Sequence, residues 1–314
     1  MKNILSNRRH LGRWLGAVGL CWTLGCTATS HSVVPSPLGQ SHAMADLEAA
    51  IDVPGTLTVT TINSADWAVD LSGLLNLHHP KAKTAGLEDR IEPIAIYFHA
   101  VQHPVRGLFL VDTGIEHKLG TNPSDSAVSW LVRSAMHLER LKVRTDLGTY
   151  LAQQKQPVQG VFLTHLHLDH VSGLPDLRED VPVYVGRGDA EDRAFINLFA
   201  RSTINAELDG KGPLREFIFE RGTDVLDVFG DGQFWAIAVP GHTKGSIAYV
   251  ARTPEGPVLM TGDASHTAWG WNNGVEPGSF SSDKPTSVIS LGKLRALSAR
   301  HPKMKVRLGH QQLT

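Results

Sequence analysis

Four side chains able to bind a metal fall within six residues, at His165, His167, Asp169 and His170, directly after the apolar run Val161-Phe162-Leu163. Along an extended backbone alternate side chains face the same way, so His165 and His167 point to one side. Asp169 and His170 can turn toward a second point where the strand ends and Val171-Ser172-Gly173 opens a loop. Leu166 and Leu168 alternate with the polar residues, which is not the composition of a solvated loop. One segment can thus serve two adjacent metals. A zinc ion takes three or four nitrogen or oxygen ligands and keeps a position for water where it is catalytic, so four residues cannot complete two shells. Three further candidates each follow a strand-like run: His242 in Pro240-Gly241-His242-Thr243, Asp263 in Thr261-Gly262-Asp263-Ala264 and His310 in Leu308-Gly309-His310-Gln311. Together they make five histidines and two aspartates. Mixed imidazole and carboxylate ligands suit zinc and also admit manganese or iron.

This set resembles the signature of the metallo-β-lactamase superfamily, His-x-His-x-Asp-His followed by single His, Asp and His residues on later strands. The resemblance spans residues 56–314. It implies an α/β fold, an αβ/βα four-layer sandwich with the metals at one edge between two central sheets. It implies two Zn2+ per chain, with His165, His167 and His242 on the first, Asp169, His170 and His310 on the second, and Asp263 bridging both. Asp112, in Val111-Asp112-Thr113-Gly114, matches an aspartate that orients a ligand histidine, a support such ligands need; capping a turn is its alternative role.

The fold hosts many reactions, so activity is argued from the site. Both cysteines, Cys21 and Cys26, lie near the N-terminus, which sets aside the β-lactamases that place a thiolate at the second metal. The cysteine-free β-lactamases typically lack the bridging aspartate. No added recognition domain of the nucleic-acid-processing members lies between His242 and His310. Glyoxalase II-like thioesterases, phosphodiesterases and the quorum-quenching lactonases that open N-acyl homoserine lactones remain, and the motifs around His165 and Pro240–Ser246 resemble the lactonases most. The implied protein is a metal-dependent hydrolase acting on a small-molecule ester or lactone. A hydroxide held between two metals would attack the carbonyl, while Asp169 both ligates and carries the proton. One position departs from the pattern: where lactonases carry a tyrosine three residues beyond the bridging aspartate, this chain has His266. The expectation is that its neutral imidazole donates to the developing oxyanion. The rival class is a non-catalytic metal-binding lipoprotein, against which the bridging carboxylate weighs.

Positioning these residues needs strands that end at one edge. Short β-rich runs occur at Leu57–Ile62, Ile94–Val101, Gly107–Val111, Val158–Thr164, Pro182–Val185, Phe234–Val239, Ser246–Ala251, Val258–Thr261 and Lys305–Leu308, most of them closed by Gly, Pro, Asp or His. Helical spacing fits Ser124–Leu141, Asp189–Ala200 and Thr286–Arg300, with Ser124 and Asp189 as candidate caps. Gly114–Leu147 carries Trp130, Met136 and Leu138 at helical spacing and reads as a lid or as core. Trp269 and Trp271 follow the bridging aspartate and could wall an apolar substrate pocket or pack inside. His78, His79, His99 and His103 read as surface or hydrogen-bonded core residues, and the basic run Lys293–Lys305 as a solvated helix face.

The chain has 314 residues with 30 Lys+Arg against 31 Asp+Glu, a balance without the clustered basic excess that nucleic acid demands. Nucleic acid is therefore not an expected partner. Residues 1–13 hold Lys2, Arg8, Arg9 and Arg13 and no acid, and Leu15–Gly25 is an apolar run too short to span a bilayer comfortably. Residues 1–25 read as a secretory signal peptide. Thr23-Leu24-Gly25-Cys26 resembles a bacterial lipobox, with cleavage near Ala28 as the alternative, and Arg8-Arg9 resembles a twin-arginine signal. The expected location is the periplasm or a lipoprotein anchored to a membrane, secretion being the other outcome of export. Residues 26–55, with a Ser/Pro/Gly-rich stretch at 30–41, read as a flexible tether.

Overall fold

The computed structural model describes residues 27–193 and 195–313, excluding the side chains of 195–199. Residues 1–25, where a signal peptide is expected, and Cys26 lie outside the described residues. In chain order the strands are β1 (Val33–Pro35), β2 (Gln40–His42), β3 (Thr58–Asp70), β4 (Ile91–His103), β5 (Gly107–Val111), β6 (Lys142–Val143), β7 (Val158–Phe162), β8 (Val183–Val185), β9 (Leu214–Glu216), β10 (Val225–Asp227), β11 (Phe234–Ala238), β12 (Ile247–Thr253), β13 (Gly256–Met260) and β14 (Lys305–Arg307). One sheet runs β1-β9-β8-β7-β5-β4-β3-β6 and the other β14-β13-β12-β11-β10-β2.

Alternation along the strands builds the layers. On β5, Phe109 and Val111 face the second sheet and pack with Phe162, Phe217, Phe234 and Tyr249. Leu108 and Leu110 face outward and pack with Leu147, Val171 and Ile204 on the covering helices and with Leu208 just beyond one of them. On β12, Tyr249 and Ala251 join the inter-sheet core, while Ala248 and Val250 meet Leu291, Leu294 and Leu297 of the helix Lys284–Arg300. Strands buried on both faces between helices give the α/β, four-layer αβ/βα sandwich that the sequence implies.

Chain direction then fixes the site. β5 and β7 are parallel, as are β13 and β14. Because β12 is antiparallel to both β11 and β13, β11 runs with β13. The residues that follow β5, β7, β11, β13 and β14 are those of the Asp112, His165, His242, Asp263 and His310 motifs. Two bonds hold the sheets in register beside them: Ile247 N–H to the Thr164 carbonyl at 2.8 Å and the Tyr249 hydroxyl to the Leu163 carbonyl at 2.8 Å.

Three expectations need correction. The stretch read as a flexible tether contains β1, parallel to β9, β2, antiparallel to β10, and the helix Met44–Ile51, whose Leu47 and Ile51 are buried. Its backbone extends both sheets by one strand, so edge pairing overrides a loop-like composition. Ser124–Leu141 is not one helix. Ser129 caps a new helix, Trp130–Ala135, by accepting the Val132 N–H, and His137 then turns left-handed at φ 53° before a short 3-10 turn at Leu138–Arg140. Trp271 is buried in the core against the Lys284–Arg300 helix and Trp269 packs beside Leu71, Leu75 and Val275, so neither walls the substrate cavity.

Candidate metal centre

The seven residues singled out as ligands converge in two groups, His165, His167, His242 and Asp263, and Asp169, His170, Asp263 and His310. Within each, the available donor atoms lie within 4.8 Å of one another. His242 Nε2 is 3.1 Å from His165 Nε2 and 2.9 Å from His167 Nδ1. Asp263 Oδ2 stands between the groups, 3.7 Å from His165 Nε2, 3.4 Å from His242 Nε2, 3.5 Å from His170 Nε2 and 3.2 Å from His310 Nε2. Asp169 Oδ2 is 3.3 Å from His310 Nε2 and 3.7 Å from His170 Nε2. Gly309 makes this approach possible, since a Cβ there would lie 2.1 Å from Asp263 Oδ1.

The outward nitrogen of four of the five imidazoles is fixed by a partner, which aims the other nitrogen inward. Asp112 Oδ2 accepts from His170 Nδ1 at 2.8 Å, the Ala95 carbonyl accepts from His310 Nδ1 at 2.9 Å, and Ser281 and Thr164 hydroxyls meet His242 and His165 Nδ1, each at 3.1 Å. Asp112 also accepts the Thr164 N–H at 2.7 Å and holds a left-handed backbone at φ 59°, an unusual conformation for a non-glycine residue that is concentrated at functional sites. Its carboxylate is thus in direct contact with the His170 ring. Burial, then the neighbouring imidazoles, push His165 and His242 well below the usual histidine range, and burial pushes His167 down to about 4. Burial opposes charge on His170 and His310 too, but Asp112, Asp263 and Asp169 carry His170 well above its ordinary value, and Asp263 and Asp169 carry His310 up to about 9.

These residues fit two zinc ions. Nitrogen and oxygen donors of the types zinc prefers converge on two points, and His170 Nε2 is buried with no hydrogen-bond partner. A buried polar atom without a partner is costly unless something binds it.

His266 is also buried here, with Nε2 3.1 Å from Asp263 Oδ2. Its Nδ1 lies 2.9 Å from the Leu74 carbonyl. A carbonyl can only accept, so the Nδ1 proton is committed to Leu74 and a neutral imidazole has none left on Nε2. The expected neutral donor to a substrate oxyanion does not fit this geometry. The ring instead ties the wall helix Leu71–Leu74 to the floor of the site.

Over the two groups lies a cavity of about 270 Å³, with His167, Asp169, His242, Asp263, His266 and His310 at its floor. Trp67, Val69, Leu74, Ile94, Met136 and Phe280 form an apolar wall. Of the segment read as a lid, Ala135, Met136, His137 and Arg140 reach the cavity, Val132 packs in the core, and Trp130 is exposed. The Trp67 indole N–H donates to the His137 carbonyl at 3.4 Å. His99 and His103 are hydrogen-bonded core residues, paired with Thr61 and Asp231. Three supports escaped the sequence reading: Ser281, the Ala95 carbonyl and Asp189, whose carboxylate bonds the backbone of two ligand loops instead of capping a helix. Burial pushes Asp189 up to about 7 against the hydrogen bonds it accepts.

The profile of the metallo-β-lactamase superfamily matches residues 96–302. The N-acyl homoserine lactonase AttM of Azorhizobium caulinodans is 30% identical over 214 residues, 66% of this chain and 78% of that protein. A hydroxyacylglutathione hydrolase of Yersinia pestis is 36% identical over 121 residues, 38% of each chain. A solved N-acyl homoserine lactone hydrolase, with N-hexanoyl-L-homoserine bound at its catalytic metal centre, is similar in fold at a TM-score of 0.57 and 17% identity, covering 82% of this chain and 93% of that one. The dizinc quorum-quenching lactonase AidC gives a TM-score of 0.54 at 14% identity over 87% and 91%. The matched profile, the lactonase relatives and the shared fold agree with the converged histidines and aspartates: the chain belongs to the metallo-β-lactamase superfamily and is a metal-dependent hydrolase of that fold.

Proposed function

We propose that this is an exported dinuclear-zinc hydrolase that opens lactone rings, with N-acyl homoserine lactones as its substrates. The observation that carries the reading is Asp263 Oδ2 between two ligand groups at the floor of a cavity with an apolar wall, which suits a carbonyl at the metals and an acyl chain beside Trp67, Met136 and Phe280. His165, His167 and His242 would hold one zinc, Asp169, His170 and His310 the other, and Asp263 both. Zinc bound there would supply Lewis acidity toward a carbonyl oxygen and would lower the pKa of water enough for it to act as a nucleophile near neutral pH.

Asp169 is the residue of the set that is not fully buried, and it lines the cavity. Its carboxylate can take the proton of the hydroxyl that adds to the carbonyl and return it to the ring oxygen as the carbon–oxygen bond breaks, leaving a carboxylate and an alcohol. The apolar wall keeps bulk water from the acyl side. A thioesterase reading has support in the hydroxyacylglutathione hydrolase similarity, and Arg140 and His137 could meet a charged thioester, but Trp67, Val69, Leu74, Ile94, Met136 and Phe280 give the larger part of the wall to an apolar chain. The N-terminal segment supports export through its basic start, apolar run and Cys26.

The test is a parallel assay of the zinc-loaded chain on acyl homoserine lactones of increasing chain length, aryl esters, thioesters, phosphodiesters and a β-lactam. Lactones should turn over with the highest kcat/KM, and KM should fall as the chain lengthens along the apolar wall. Preference for glutathione thioesters, or no turnover of any lactone, would refute it.

A further inference from the structure

The turn after β8 touches both halves of the first ligand group without supplying a ligand. Asp189, 1% exposed, accepts the Leu166 N–H on Oδ2 at 2.7 Å and the Gly245 N–H on Oδ1 at 3.3 Å. Leu166 sits between His165 and His167, and Gly245 lies three residues beyond His242. In the same turn, Asp192 accepts the Lys244 N–H at 2.8 Å. The contact is close: a Cβ on Gly245 would stand 2.4 Å from Asp189 Cβ. The His242 loop is internally braced, since Ser246 Oγ meets the Thr243 N–H at 3.0 Å and its hydroxyl at 2.8 Å. It can therefore be placed as a unit by what holds it from outside.

We propose that Asp189 is a positioning residue for the first metal, one carboxylate spanning the loop of His165 and His167 and the loop of His242 and so setting the spacing of their inward nitrogens. The inference rests on reading this group as a zinc site. Both carboxylate oxygens are in use as acceptors. An asparagine offers only one, and its amide would face a backbone N–H in a place that water does not reach. One N–H is then left unpaired, and the two loops lose their common tie. Removing an outer partner of metal ligands typically weakens metal binding about 10- to 100-fold.

The test is Asp189→Asn in the full chain, read by chelator competition for zinc and by the visible spectrum of the cobalt form, alongside thermal unfolding without metal. One of two sites should weaken about 10- to 100-fold with a changed cobalt spectrum, while the other keeps its wild-type affinity. Should that variant not fold, Gly245→Ala, which pushes the loop off Asp189, should give the same selective loss. Two sites of wild-type affinity and spectrum would overturn the proposal, as would equal weakening of both sites with a lowered melting temperature, the mark of a merely structural role. A wild-type chain that binds no zinc would overturn the metal reading itself, and the inference with it.

Discussion

Replacing Asp112 by asparagine should disable the second ligand group while leaving the first intact. The left-handed backbone at φ 59° is one asparagine tolerates, so the change acts through the side chain. Asp112 is 4% exposed and accepts from three donors, the Thr164 N–H at 2.7 Å, the Thr164 hydroxyl at 2.9 Å and His170 Nδ1 at 2.8 Å. If the new amide faces His170, donor meets donor, and the imidazole escapes by moving its proton to Nε2, the nitrogen aimed at Asp169 and Asp263. If the amide faces Thr164, a buried N–H is left unpaired at about 1–3 kcal/mol. The first orientation costs the second site its preset ligand, whereas the second keeps the His170 contact and puts the cost on Thr164, so a loss of metal affinity is the signature of the first. The expected loss is about 10- to 100-fold in zinc affinity at that site, or roughly 1.4–2.7 kcal/mol, toward the upper end because no water can repair the contact. Chelator competition should resolve one weakened and one unchanged site, with turnover falling in step. An Asp112→Asn enzyme that retains both metals at wild-type affinity and unfolds no more easily than wild type would refute the reasoning that aims His170 through Asp112.

Further tests address other parts of the molecule. Glu116 is fully buried, and burial, reinforced by Asp176, pushes its carboxyl up from 4.5 to about 7. The folded chain then holds a proton that the unfolded chain has released, so stability is full below about pH 4.5 and falls until about pH 7. Glu116→Gln should be more stable than wild type above pH 7 by at most ~3 kcal/mol, with the gap closing near pH 4.5 in urea titrations; a constant gap would contradict this. His266→Ala should leave zinc content unchanged and cut kcat by less than the roughly 100-fold typical of a lost oxyanion donor, while raising KM as the Leu71–Leu74 wall loosens; a larger kcat loss with unchanged KM would restore the donor role. Cys26→Ser should move the protein from the membrane fraction to the soluble one if Cys26 carries a lipid, and intact-mass detection of Met1 in native material would contradict export.

The ligand set was legible because metal chemistry concentrates unusual residues at strand ends: His165 to His170 lie within six positions, and His242, Asp263 and His310 each follow an apolar run. The long inner strands showed through their apolar runs and terminators. Strands β1, β2, β6, β9 and β10 hold two or three residues each and, unlike the equally short β8 and β14, follow no strand-like run closed by a terminator, so only pairing with their neighbours reveals them. Ser124–Leu141 breaks twice, before the cap at Ser129 and at the left-handed His137, and neither break interrupts the spacing of its apolar residues. Asp189 looked like a helix cap because its real partners, Leu166 and Gly245, are distant in sequence. His266 was placed near the metals by spacing alone, but the Leu74 carbonyl that takes its proton has no signature in the sequence.

The proposed reaction turns on two metals sharing Asp263. Its most direct test is the metal content of the active chain, measured as zinc retained per chain after removal of loosely bound ions. The geometry predicts two, dropping to one or none in Asp263→Ala with turnover falling by orders of magnitude. A fully active wild-type chain holding a single metal would contradict it.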